Sequence, residues 1–187
     1  MNRNKYNLRS MIVCSMFAAV TAVLAQIEIP LPLVPISGQT LAVGLTSTII
    51  GSRLGAIAMM CYAAIGAVGA PVFAGFSGGL HVLLGPTGGY IFGFIIAAYV
   101  IGYILEKSSY TVKMAMLANT IGMVIILLCG TLQLKFVLDL SWSVALVSGV
   151  YPFIVVGLIK AFLASWIGIV VRKRLDQANV LLTQHRV

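Results

Sequence analysis

Val147-Ser-Gly-Val-Tyr-Pro-Phe-Ile-Val-Val-Gly-Leu-Ile-Lys160-Ala-Phe-Leu-Ala-Ser-Trp-Ile-Gly-Ile-Val-Val171 carries one charged side chain in 25 residues and is closed by Arg172-Lys173-Arg174. An α-helix rises about 1.5 Å per residue, so about 20 apolar residues cross a hydrocarbon core about 30 Å thick. Reading this run as a membrane span commits the rest of the chain to the same solvent. Further apolar runs precede it at 11–27, 37–51, 54–69, 86–105 and 113–134. The 187 residues are 60% hydrophobic and 9% charged, against about 25% charged in an ordinary soluble domain. Mean hydropathy is +1.07. These values exclude a soluble enzyme, a disordered chain and a secreted disulfide scaffold. They predict an all-α integral membrane protein of a single domain, residues 1–187, with six transmembrane helices and a polar tail at 176–187.

The charges set the topology. Net charge is +8, from 12 Lys and Arg against 4 Asp and Glu. Arg3, Lys5, Arg9, Arg53, Lys107, Lys113, Arg172, Lys173, Arg174 and Arg186 fall on one side of a six-span arrangement, and Lys135 on the other. The positive-inside rule then places both termini in the cytoplasm. The basic residues flank apolar runs, which argues against a nucleic-acid surface. Val23-Leu24-Ala25 is a passable signal-peptide cleavage site, but with five spans following, an uncleaved first span is simpler. The runs at 37–51 and 54–69 are short for a crossing, so their ends are expected to be buried in protein at membrane depth. Cys14, Cys61 and Cys129 lack metal or redox spacing and read as small buried hydrophobes.

Lys160 is left over from the topology count. It stands 12 residues before Arg172, about 18 Å along a helix, too far to reach the inner surface. A mid-bilayer lysine costs about 2.5–3.5 kcal/mol on insertion scales. Either it faces a ligand in an outward cavity, or it is a structural lysine bonded to backbone carbonyls or reaching the outer surface. Residues 66–89 hold eight glycines, two prolines and no charge. Irregular backbone at that depth is tolerated where it packs in protein or lines a cavity, so this segment reads as a folded cap or cavity wall. Gly85-Pro-Thr-Gly-Gly-Tyr90 lacks the Lys and hydroxyl residue of a P-loop. Its glycines, Gly85 and Gly88 among them, allow close approach either of a ligand or of another helix. Tyr90 and Phe73 offer flat apolar surface, and Thr87 a hydroxyl.

Pro30, Pro32 and Pro35 end the first helix in an extended loop. After it, Ser37 and Gln39 either cap the next helix or hydrogen-bond a ligand. Glu28 marks the outer interface, and a lone His81 reads as structural. Ala18 and Ala22 form a small-xxx-small pair suited to close helix packing. The chain has no intramembrane carboxylate pair, no HExxH and no Walker motif. No catalytic residue, metal site or cofactor is expected.

Three stretches together carry a family resemblance. They are Ala25-Gln-Ile-Glu-Ile-Pro-Leu-Pro-Leu-Val-Pro-Ile-Ser-Gly-Gln39, Gly66-Ala-Val-Gly-Ala-Pro-Val-Phe-Ala-Gly75 running into Gly85-Pro-Thr-Gly-Gly-Tyr-Ile-Phe-Gly93, and Pro152-Phe-Ile through Lys160-Ala. From about Met11 to Arg174 the chain resembles the BioY family, the biotin-binding S components of energy-coupling-factor (ECF) transporters. The resemblance implies a six-helix S component in a prokaryotic cell membrane, with biotin held near the outer face under the first loop. It implies a transmembrane coupling protein and two ATPase subunits as partners, and release of the vitamin inside as the S component topples. Lys160, Gln39, Thr87, Tyr90, Phe73, Gly85 and Gly88 become the expected ligand-binding residues, and Ala18 and Ala22 the docking face for the coupling protein. At Gly157 the family usually has Asp, a carboxylate suited to the N–H donors of biotin's ureido ring, so here that contact has to come from elsewhere. The alternatives are an S component for a different vitamin, an integral membrane enzyme and a structural assembly subunit.

Overall fold

The computed structural model describes residues 8–178. Arg3, Lys5, Arg186 and the tail beyond 178 lie outside the described residues. The order is α1 (Leu8–Ala25), β1 (Glu28–Ile29), β2 (Ile36–Ser37), α2 (Gln39–Ile50), α3 (Ser52–Ala67), α4 (Leu80–Leu84), α5 (Gly88–Lys107), α6 (Val112–Val137), α7 (Trp142–Gly149) and α8 (Tyr151–Gln177), with a 3-10 turn at Ala74–Phe76. Among the described residues, four helical stretches are long and apolar enough to cross a membrane: Leu8–Ala25, Gly88–Lys107, Val112–Val137 and Trp142–Gln177. Helices α2 and α3 are apolar but shorter.

Local chemistry explains the boundaries. The proline segment stops α1 and folds back as a two-stranded antiparallel hairpin, Glu28 opposite Ser37 and Ile29 opposite Ile36. Gly51 separates α2 from α3 at φ +84°, a conformation side-chain-bearing residues rarely adopt. The first turn of α3 is capped from another helix: Ser52 N–H and Oγ–H donate to the two carboxylate oxygens of Glu106, both at 2.7 Å. Thr111 and Ser141 cap α6 and α7, accepting from the N–H groups of Met114 and Val144 at 3.4 Å. The run expected to span 147–171 is interrupted. Val150 leaves helical geometry and Pro152 sits in the first turn of α8, so 147–149 belong to α7.

The bundle packs around α5. That helix lies along α6 so closely that a side chain at Gly89 would strike the Cys129 carbonyl. Helix α1 packs on α2 and α3, and Cys14 Sγ donates to the Leu54 carbonyl at 3.5 Å. This orientation sets where Ala18 and Ala22, the expected docking face, lie on α1. Ala18 is 2% exposed inside the core and Ala22 is half-buried against it, while Met11, Met16, Val20 and Val23 point outward.

Candidate functional site

The glycine-rich segment 66–89 is a folded cap. Gly66 leaves space for the Phe73 ring, which a side chain there would overlap, and Phe73 pairs with Ser77 in a short bridge. Gln26, at the end of α1, grips this loop. Its Nε2 donates to the Phe73 carbonyl at 3.1 Å, and its Oε1 accepts from Phe76 N–H at 2.9 Å. The cap and the proline hairpin meet above a cavity of about 280 Å³, near the lower end of the range of about 300–1,000 Å³ for small-molecule sites.

Each wall comes from one face of an element. Helix α8 contributes Phe153, Val156, Gly157, Lys160 and Ala161, neighbours at three- and four-residue spacing. Helix α6 contributes Asn119, Met123, Ile126 and Leu127 by the same spacing. Helix α5 gives Tyr90, Ile91, Phe94 and Ile101, and α2 gives Gln39 and Thr40. Val34, Pro35 and Ser37 close it from the hairpin, and Phe73, Ala74 and Ser77 from the cap.

The surface is mainly apolar, with a few convergent polar groups. Lys160 is the one charged side chain among the described residues that line it. Its Nζ donates to the Ser37 carbonyl at 2.6 Å, which leaves two of three ammonium donors for a ligand. Ser37 Oγ donates to Gln39 Oε1 at 2.7 Å, and Gln39 Nε2 donates to the Tyr62 hydroxyl at 2.6 Å. Thr87 also lines the cavity, and its hydroxyl makes no cap bond to α5. Tyr90 presents its ring to the cavity, tilted against Phe153 at 6.2 Å, while its hydroxyl donates to the Gly149 carbonyl at 3.0 Å. Phe73 lies edge-on to Tyr62 at 5.4 Å.

Thus Lys160, Gln39, Thr87, Tyr90 and Phe73 share one cavity. Gly85 and Gly88 do not line it. The Gly85 carbonyl accepts from Gln133 Nε2 at 2.8 Å, and a side chain at Gly88 would strike the Leu83 carbonyl. These two serve the packing of the cap on α5 and α6.

Asn119 was missed by the sequence reading. Its Nδ2 donates to Thr48 Oγ1 at 3.2 Å, the Ala115 carbonyl at 2.9 Å and Ser165 Oγ at 3.0 Å. Its Oδ1 is buried without a partner. The signal was available: an amide in an apolar run is costly for the same reason as Lys160. At Gly157 the place a side chain would take is filled by the Met123 thioether, so a sulfur lies there in place of a carboxylate. Among the described residues, no group of three His, Cys, Asp or Glu side chains is placed to hold a metal.

The far end of the bundle is arranged differently. Arg172 lies 3.5 Å above the Tyr110 ring and donates to the Ile49 carbonyl at the end of α2. Burial pushes the Tyr110 phenol above its ordinary pKa, with the Arg172 guanidinium acting in the opposite direction.

A bundle with several membrane-length helices and a lined cavity beneath two closing loops defines a multi-pass membrane protein with a small-molecule site. The BioY family model matches residues 1–177, and the chain belongs to the BioY family. It is 38% identical over 176 residues to the biotin transporter BioY2 of Lactococcus lactis subsp. cremoris, covering 94% of this chain and 97% of that protein. It is 39% identical over 168 residues to the biotin transporter BioY of Thermotoga maritima, covering 89% of this chain and 97% of that protein. The crystal structure of the S-component for biotin from an ECF-type ABC transporter superposes with a TM-score of 0.81 at 25% identity, over 92% of this chain and 95% of that one.

Proposed function

We propose that the chain is the biotin-binding specificity subunit of an energy-coupling-factor vitamin importer. One observation carries the reading: a single ammonium with donors to spare stands on a mainly apolar cavity in a member of the BioY family. The chain binds and translocates biotin and is not an enzyme.

Biotin has a ureido carbonyl that accepts, two ureido N–H donors, an apolar bicycle and a carboxylate tail. The spare Lys160 donors suit an acceptor oxygen of the ligand. Gln39 Oε1 uses one lone pair on Ser37 and has a second for a ureido N–H. Phe73, Tyr90 and Phe153 supply flat walls for the bicycle, and Thr87 a further hydroxyl. Water exclusion by the hairpin and cap strengthens these bonds, because the local dielectric is low.

In this reading residues 1–187 form a single integral domain that crosses a prokaryotic plasma membrane six times, with both termini cytoplasmic. The segregation of Arg53, Lys107, Lys113 and the Arg172–Arg174 cluster from Lys135 supports that orientation. A transmembrane coupling protein and two ATPase subunits supply the energy, since the chain has no nucleotide-binding motif. Their contact with α1 involves its outward face rather than Ala18.

Binding of radiolabelled biotin to purified protein tests the assignment. Saturable binding that excess unlabelled biotin abolishes is expected, and its absence from the wild type overturns the reading. A competition panel of other vitamins separates biotin from a different vitamin: biotin is expected to compete best.

A further inference from the structure

Tyr62 does not line the cavity. It is 1% exposed in the core of α3, behind the wall that Gln39 presents. Its hydroxyl accepts from Gln39 Nε2 at 2.6 Å and donates to the Val72 carbonyl at 3.0 Å. Gln39 in turn accepts from Ser37 Oγ at 2.7 Å, and Ser37 pairs with Glu28 across the hairpin. A continuous run therefore leads from the hairpin, through Ser37, Gln39 and Tyr62, to Val72 in the cap. Every donor in it points the same way, an arrangement in which each bond polarises the next.

The two ends of this run are the two segments that wall the cavity where neither α5, α6 nor α8 covers it. Ligand that enters or leaves on this side passes one or both of them. We infer that Tyr62 is the positioning residue that couples the hairpin (27–38) to the cap (68–79), so that the two open together and the closed state holds its ligand longer. Without the hydroxyl, Gln39 loses its acceptor and Val72 a donor, and the two segments are held to each other less firmly, with Gln26 still bonded to Phe73 and Phe76. This deepens the biotin-binding reading and, for the residence time, rests on it.

Tyr62→Phe tests the inference, because the ring and its edge-on contact with Phe73 are retained. In ligand-free full-length protein, amide hydrogen exchange over 27–38 and 68–79 should quicken together, with exchange in α5 and α6 unchanged. In a chase experiment, bound radiolabelled biotin should leave on the order of 10-fold faster, as loss of the two hydrogen bonds of the Tyr62 hydroxyl predicts. Unchanged exchange in both segments overturns the coupling whatever the ligand. Faster exchange with an unchanged dissociation rate overturns the claim on residence time and leaves the biotin assignment standing. A wild type that binds no biotin overturns that assignment and the residence-time claim together, while the exchange result still decides the coupling.

Discussion

The two ends of the bundle each use one cation to hold a backbone carbonyl, and the difference between them separates ligand chemistry from scaffold chemistry. At the cavity end Lys160 donates to the Ser37 carbonyl and has donors left over, facing a space lined by apolar side chains. At the other end Arg172 donates to the Ile49 carbonyl, stacks on Tyr110 and lies near Asp176 and Glu106. Glu106 itself is occupied by the first turn of α3. Arg172 is a clasp on helix ends. Lys160 is a donor held in place by one bond and offered through the others.

The sharpest way to break this comparison is to remove each cation in turn. Lys160→Met removes the donors and keeps the chain length. A hydrogen bond from a charged group contributes about 1.5–3 kcal/mol, so biotin affinity should fall about 10- to 100-fold, while the melting temperature of the ligand-free protein changes little because loss of the bond to Ser37 is offset by removing a charge from membrane depth. Arg172→Ala should do the reverse. It strands a half-buried carbonyl and strips a cation from an aromatic face, a loss of about 2 kcal/mol in stability, with biotin affinity unchanged in the surviving folded protein. Equilibrium binding and thermal unfolding, read on both variants, check the pair. If both variants lose binding in proportion to stability, the two ends are not functionally distinct.

A third variant sharpens the cavity side. Gly157→Asp places a carboxylate where the Met123 thioether now sits. Overpacking of this kind costs about 1–3 kcal/mol, so the single variant should bind biotin more weakly. Met123→Ala vacates the space, and the double variant should bind more tightly than Gly157→Asp alone, as measured by competition with radiolabelled biotin. Equal affinity in the single and double variants would show that Met123 does not occupy the carboxylate's place.

The same contrast explains what was legible in sequence. Lys160 stood out because a charge in an apolar run needs an offset, and helix ends stood out at Pro30–Pro35 and Gly51. Ala18 was harder. A small-xxx-small spacing says that something comes close, not what. In lipid, where apolar side chains are equally at home facing outward, the inward face of α1 is its small and polar one: Ser10, Cys14, Ala18, Thr21 and Ala25 are buried. The short helices α4 and α7 left little trace, because each sits in a segment whose glycines or polar residues read as loop. Tyr62 could not be singled out, since its partners are 10 and 23 residues away and nothing local marks the pairing. Met123 and Gly157 become informative only once α6 and α8 are seen to face each other.

The smallest expected effect concerns Tyr90, which belongs to both regions at once. Its ring lines the cavity, and its hydroxyl holds the Gly149 carbonyl at the end of α7. Tyr90→Phe keeps the ring, so biotin affinity should stay within about twofold, and a net hydrogen bond of about 1 kcal/mol is the most stability it should lose. The loss should be smaller still, because the Thr131 hydroxyl lies against the Tyr90 hydroxyl and borders Gly149 beside it. It is the available replacement donor. Thr131→Val should therefore cost little in the wild type and more in the Tyr90→Phe background, a non-additivity expected only of groups sharing one acceptor. Thermal unfolding of the two single variants and the double variant measures it. Additive losses would mean that the Gly149 carbonyl depends on Tyr90 alone, and that the hydroxyl of Thr131 plays no part in seating α7 against the cavity wall.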